Sequence, residues 1–188
     1  MPGLRLYGVS FLVLSILMGA RLLTAPHPYT FTLPDHFPSM PVNKDNPVTK
    51  EGVFLGRSLF YDPILSRDSN TSCASCHRQE AAFSDAPNVN STRNGHVGQI
   101  RNVMPLFNLA WYPAYFWDGR AISLETQVMH PITNPGEHDT DWDTITKRLK
   151  KNRRYTTLFR ASEPACRTRM IGIQSLLSTY LSRSTRSL

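Results

Sequence analysis

The sequence predicts an all-α fold of a few short helices joined by long loops, preceded by a hydrophobic leader helix. Three observations predict it. Apolar residues recur at spacings near three and four in several separate stretches, as helices with one buried face require. Fourteen prolines in 188 residues keep those helices short. Residues 62–105 form a long, mostly irregular stretch, and long loops without a hydrophobic pattern of their own are usually functional or wrapped around a ligand. With 40% hydrophobic and 19% charged residues the composition is that of a globular chain rather than a disordered one. The length accommodates one domain and little more.

Taken in order, the chain begins with Arg5 and an almost unbroken apolar run over residues 6–20 (LYGVSFLVLSILMGA). That run fits a signal h-region better than a full membrane span of about 20 residues. Cleavage after Ala20 or Ala25 would place Met18 or Leu23 at the −3 position, where small residues are wanted. Residues 1–25 therefore read either as a removed signal peptide or as an inner-membrane anchor with Arg21 snorkelling to the interface. Both readings place the rest of the chain in the periplasm. Residues 26–47 are proline-rich and read as an extended linker.

Residues 49–61 follow as a helix with Val53, Leu55, Gly56, Leu59 and Phe60 at helical spacing, stopped by Asp62 and Pro63. Residues 105–112 make a short apolar turn of helix, and residues 115–118 lead into a turn at Gly119. Ser123 opens a helix that runs through Met129, after which Pro131 and Pro135 break the chain. Residues 141–155 read as one amphipathic helix, with Trp142, Ile145 and Leu149 on one face and lysines opposite. A last helix covers residues 171–181. The domain organisation is thus a leader (1–25), a linker (26–47), one folded unit (48–165), and a terminal helix and tail (166–188).

The net charge is +7, or +5 without Arg5 and Arg21. Basic residues concentrate late, beginning with Lys147, Arg148, Lys150, Lys151, Arg153 and Arg154. Such a run is a solvated helix face or a docking surface for an acidic partner. A nucleic-acid partner is not expected, because no base-reading or phosphate-cradling module accompanies the charge.

The residues Cys73-Ala74-Ser75-Cys76-His77 match C-x-x-C-H, the attachment signature of c-type haem. Two thiols add across the two vinyl groups on one edge of a porphyrin, and the next residue swings its imidazole under the iron. Covalent attachment also explains how a core-poor loop gains a core. Three rivals compete. A structural zinc site wants two further ligands at matching spacing. A thioredoxin-like dithiol needs a βαβ context that is missing. A disulfide between residues three apart is strained. Cys166 is left over from an odd count of three cysteines. The expected cofactor is one covalent haem c inside a cytochrome c-like fold, with His77 as proximal ligand.

Candidates for the second axial position are His96, His130, His138, Met104, Met129 and Met40. His96 is best placed, because Gly95 and Gly98 flank it. Peroxide chemistry at such an iron also needs a distal base that takes a proton from HOOH and returns it to the departing oxygen. Glu137 and His138, after the Pro135-Gly136 turn, are candidates. Trp117, among Tyr112, Tyr115 and Phe116, reads from composition alone as a core residue.

From residue 46 onward the sequence resembles the bacterial di-haem cytochrome c peroxidase family, whose relatives include the methylamine-utilisation di-haem enzymes. The matching stretches are residues 46–67 (NPVTKEGVFLGRSLFYDPILSR), residues 71–77 (TSCASCH) with Phe83-Ser84-Asp85, Arg101-Asn102, residues 106–110 and, most specific, residues 115–135 (YFWDGRAISLETQVMHPITNP). The likeness covers about residues 46–160, the family's N-terminal, peroxidatic half. It implies that Cys73, Cys76 and His77 carry the haem where peroxide reacts, and that His96 is a distal ligand released on activation. It further implies Glu137 as the acid-base, Gln127 as its hydrogen-bonding companion, Trp117 as an electron relay between two haems and Asn102 as part of a calcium site.

The implied reaction is reduction of hydrogen peroxide to water, with electrons from a small cytochrome or cupredoxin. Family members carry a second CxxCH in a C-terminal half, whereas this chain contains one. The resemblance therefore implies a missing second-haem partner or a homodimer. It also leaves two alternatives, a truncated inactive fragment and a single-haem electron carrier. His138 stands where methionine is expected.

Overall fold

The computed structural model describes residues 26–41, 47–85 and 101–162. The leader, His96, Cys166 and the helix expected at 171–181 lie outside the described residues. Among those described, every regular element is helical, and only three isolated β-bridges occur. No helix among them is long and apolar enough to cross a membrane.

The first helix, α1 (Lys50–Tyr61), starts where Thr49 Oγ1 accepts the backbone N–H of Gly52 at 3.0 Å. It buries Val53, Leu55, Leu59 and Phe60 along one face. Asp62 ends it and caps the 3₁₀ turn Pro63–Leu65 through its carboxylate. The haem-motif residues form a single helical turn, α2 (Cys73–Cys76). A second 3₁₀ turn spans Gln79–Ala81 and a third spans Leu109–Trp111. The third falls within the short helical turn predicted over residues 105–112.

Two helix boundaries differ from expectation. Pro131 does not end its helix: α3 runs Leu124–Thr133 with Pro131 inside it. A proline there removes one hydrogen bond to the carbonyl four residues back. Leu124, Val128 and Ile132 are 8%, 4% and 1% exposed, and their shared burial face carries the helix past that loss. The helix expected over residues 141–155 is instead two, α4 (Trp142–Lys151) and α5 (Arg153–Ser162). Asn152 sits between them, donating its N–H to the carbonyls of Arg148 and Leu149 and accepting the N–H of Arg154 on Oδ1. The corner turns Tyr155 into the core, where it is fully buried.

Helix α1 packs on α5 and on α2, and α4 packs on α5 and on the Pro63–Leu65 turn. One core joins them, built from Leu55, Leu59, Phe60, Ile145, Leu149 and Tyr155 and continuing into the buried face of α3. Residues 26–41 are tied down rather than detached, because Tyr29 N–H bonds Val48 O and Lys50 N–H bonds His27 O, each at 2.9 Å. Arg148 reaches back from α4 and donates to the carbonyls of Ser66 at 2.5 Å and Arg67 at 2.6 Å. Its guanidinium thereby anchors the irregular chain that leads into the cysteine motif.

Candidate haem and substrate site

The local sequence around the cysteines sets their geometry. Ser75 Oγ accepts the backbone N–H of Ser72 at 3.1 Å, and the two hydroxyls lie 3.2 Å apart. This closes the turn so that both thiols leave one side of it. No disulfide joins Cys73 and Cys76. Burial pushes the Cys73 thiol up to about 12, with the neighbouring Cys76 and Glu137 adding to the effect, so it stays protonated. Its Sγ lies 3.8 Å from His138 Nε2.

His77 follows directly, its N–H bonded to Cys73 O at 2.9 Å. Its Nδ1 lies 2.8 Å from the carbonyl of Phe83, which fixes the tautomer with a proton on Nδ1 and leaves Nε2 as the ligating nitrogen. That carbonyl is aimed by a tight loop in which Ala82 and Phe83 both adopt φ of +55°. A left-handed phenylalanine is costly and is found where the surrounding structure imposes it. Burial holds the His77 imidazole below its ordinary pKa, with hydrogen bonds to Phe83 and Met104 partly opposing. A neutral imidazole is the form that ligates a metal.

Across from this turn, Ser123 Oγ caps α3 by accepting the N–H of Thr126 at 3.1 Å. Its cap sets the register that carries Gln127. The loop after α3 is organised by Asn134. Its Oδ1 accepts the N–H of Gly136 at 3.0 Å, and its Nδ2 donates to Glu137 Oε1 at 2.8 Å. Its carbonyl takes the N–H groups of both Glu137 and Asp139 at 3.0 Å. The far end of the loop is pinned by Arg67, which donates to Asp139 Oδ1 at 2.7 Å. The loop is therefore not a solvated turn; Glu137 is half-buried and His138 is buried. Asn134, Arg67 and Arg148 escaped the reading from sequence. The Asn-Pro-Gly run signalled the first, and nothing local signalled the arginines, whose partners lie more than 70 residues away.

Cys73, Cys76, His77, Gln127 and Glu137 line one cavity of about 410 Å³, with apolar walls that include Phe60 and Leu109. Trp117 and Asn102 stand at the same cavity. Volume and lining suit an apolar cofactor with a few polar groups converging on it. The donor set, two thiols and one tautomer-fixed imidazole, fits a c-type haem. Of the candidates for a second axial ligand, Met104 and His138 line the cavity, whereas Met40, Met129 and His130 do not, and His96 lies outside the described residues.

The composition-only expectation for Trp117 is overturned, since it is 60% exposed and not part of the core. Its indole N–H donates to the carbonyl of Asn102 at 2.8 Å, which holds the ring at the rim. Next to it, Asp118 pairs with Arg101 at 2.7 Å and Arg120 at 2.9 Å. Asn102 lies at the cavity rim, and among the described residues no group of three or more His, Cys, Asp or Glu could hold a metal ion.

Comparison with known proteins identifies a family. Residues 50–184 match the profile of a family described as di-haem cytochrome c peroxidase. Methylamine utilization protein MauG of Methylorubrum extorquens is 45% identical over 122 residues, 65% of this chain and 34% of its own. Cytochrome c peroxidase Ccp of Escherichia coli is 37% identical over 131 residues, covering 68% of this chain and 28% of its own. The crystal structure of a MauG-like protein associated with microbial copper homeostasis superposes with a TM-score of 0.74 at 28% identity, over 82% of this chain and 46% of that one. The chain thus spans less than half the length of these relatives.

Proposed function

The chain belongs to the di-haem cytochrome c peroxidase family, and from that membership we propose that it binds one covalent haem c and reduces hydrogen peroxide to water in the periplasm. The observation that carries the reading is the convergence of a tautomer-fixed His77, the Cys73 and Cys76 thiols and the Glu137–Gln127 pair on one apolar cavity. Covalently bound there, haem supplies the iron and the electron-accepting chemistry.

The remaining work falls to the protein. His77 presents Nε2 because Phe83 O occupies its Nδ1 proton. Glu137 takes the proton from one oxygen of HOOH and returns it to the other as that oxygen departs. Asn134 fixes the orientation of the carboxylate through Oε1, so no reorganisation is needed at the moment of transfer. Gln127, on the same wall, positions the peroxide by hydrogen bonding. Two electrons and two protons balance the conversion of one HOOH to two waters. Trp117 passes electrons in at the rim from a second haem domain, and a small cytochrome or cupredoxin is the separate, external donor.

The test is expression with the haem-attachment machinery, a pyridine haemochrome assay, and peroxide-dependent oxidation of a reduced small-molecule donor. One haem per chain is expected, with turnover that falls by about 10²- to 10⁴-fold in Glu137→Gln while the haem content is unchanged. Turnover equal to wild type in that variant would overturn the acid-base assignment.

A further inference from the structure

A second depression lies on the outer side of α1 and α5, lined by Phe54, Arg57, Ser58, Tyr61, Asp62 and Arg154, and it shares no lining residue with the haem cavity. Phe54 and Tyr61 are 55% and 41% exposed, so its floor is aromatic. Its edges are cationic. Arg57 lies over the Tyr61 ring at 6.0 Å, and Arg154 lies over Tyr155 at 5.8 Å while reaching Ser58 Oγ at 3.5 Å. Lys150, Lys151 and Arg153 continue the positive charge along the α4–α5 corner, all exposed. The one carboxylate, Asp62, is engaged by the Tyr155 hydroxyl at 2.7 Å.

The groove also leads inward. The Tyr61 ring packs edge-on against Phe60 at 5.2 Å, and Phe60, which lines the haem cavity, lies 6.4 Å from the His77 ring. Both separations fall within aromatic contact range. Electron tunnelling weakens steeply with distance, and this is a short, packed path from solvent to the proximal ligand.

We propose that this groove is the docking surface for an acidic, single-electron metalloprotein, whose electrons reach His77 through Tyr61 and Phe60. The proposal rests on the haem-peroxidase reading and names the partner's chemistry and its entry point. Charge complementarity selects the occupant. Residues 163–188 carry Arg167, Arg169, Arg183 and Arg186 against Glu163 alone, and a second copy of the chain is equally basic, so both are repelled. A small, electrostatically steered contact is the usual form of transient electron-transfer complexes. In each encounter the partner's reduced metal loses one electron to the ferric iron, and two encounters match one peroxide.

The experiment uses the full, haem-loaded chain and reduced plant-type two-iron ferredoxin, an acidic one-electron iron–sulfur protein, as probe. Binding is titrated at low and high salt, and haem reduction is followed anaerobically by stopped flow without peroxide. Arg57→Glu with Arg154→Glu is expected to weaken binding at least tenfold at low salt. The equal charge change Lys50→Glu with Lys147→Glu weakens it far less. With the probe at saturating concentration, so that any change in binding drops out, Tyr61→Leu is expected to slow haem reduction about tenfold. Equal losses from the two charge-reversal pairs, an unchanged rate in Tyr61→Leu, or tighter groove-dependent binding of heparin or anionic-lipid vesicles would each overturn the proposal. Peroxide turnover with a small-molecule donor does not pass through the groove, so its failure would count against the peroxidase reading instead.

Discussion

Single residues with unusual backbone geometry sit around the site, and the type of residue at each was selected by conformation or by reach. Gly119, at φ +69°, turns the chain between Trp117 and α3. An added Cβ there would meet the Ala114 Cβ at 3.5 Å, an ordinary contact. The cost of Gly119→Ala is therefore conformational, about 1–2 kcal/mol for a left-handed non-glycine residue, and a lowered urea midpoint with an unchanged slope is expected. Phe116, at φ +65°, tolerates the same region because Arg120 lies over its ring at 3.5 Å and His130 meets its edge at 5.2 Å. At this scale the sequence was most legible where chemistry demands adjacency. Cys73, Cys76 and His77 could be grouped from their spacing, and one turn of chain brings both thiols and the imidazole to one cavity. Trp117 could not be placed from its neighbours, because exposure depends on what packs over a residue and not on which aromatic residues flank it.

At the scale of elements, side-chain caps at Thr49, Ser123 and Asp141 start three helices; Asp62 and Pro63 stop α1 as expected, whereas Pro131 does not stop α3. Asp141 accepts the backbone N–H of Thr144 at 2.8 Å and its hydroxyl at 2.7 Å, and these bonds hold its carboxyl below the usual aspartate range. An unfolded aspartate titrates near 3.9. Because the folded value is lower, the stabilisation is complete above that pH and is lost as pH falls through the folded value. Asp141→Asn keeps an acceptor at the cap, so the stability of the variant at pH 7 should change little while the acid side of its pH profile flattens below about pH 4. Asp141→Ala should lower the urea midpoint at pH 7 as well. The division of residues 141–155 into α4 and α5 was not readable, because Asn152 is an ordinary helix residue by local pattern. The decisive term is the burial of Tyr155, whose hydroxyl reaches Asp62, 93 residues away.

For the whole molecule, the core continues into a cavity of about 410 Å³ that the polypeptide does not fill with its own side chains. A chain whose apolar walls face an empty site loses their packing, so haem is expected to be part of the fold as well as of the chemistry. The double variant Cys73→Ser with Cys76→Ser, purified free of haem, should melt well below the loaded protein and bind a hydrophobic dye. At this length each kcal/mol lost corresponds to about 2–4 °C; equal melting temperatures would show that the fold does not depend on haem. Local pattern by itself determined the helical class, the first helix and the turn that gathers Cys73, Cys76 and His77, because periodicity, caps and the CxxCH turn are short-range properties. Only the tertiary structure decided that Glu137 turns inward, that Asn134 orients it and that Arg67 and Arg148 secure the loops behind it. It also decided that α3 continues through Pro131 and that Tyr61 and Phe60 form a path to His77. Those features depend on contacts between residues far apart in sequence, and the free energy that settles them exists only once the chain has closed around its core.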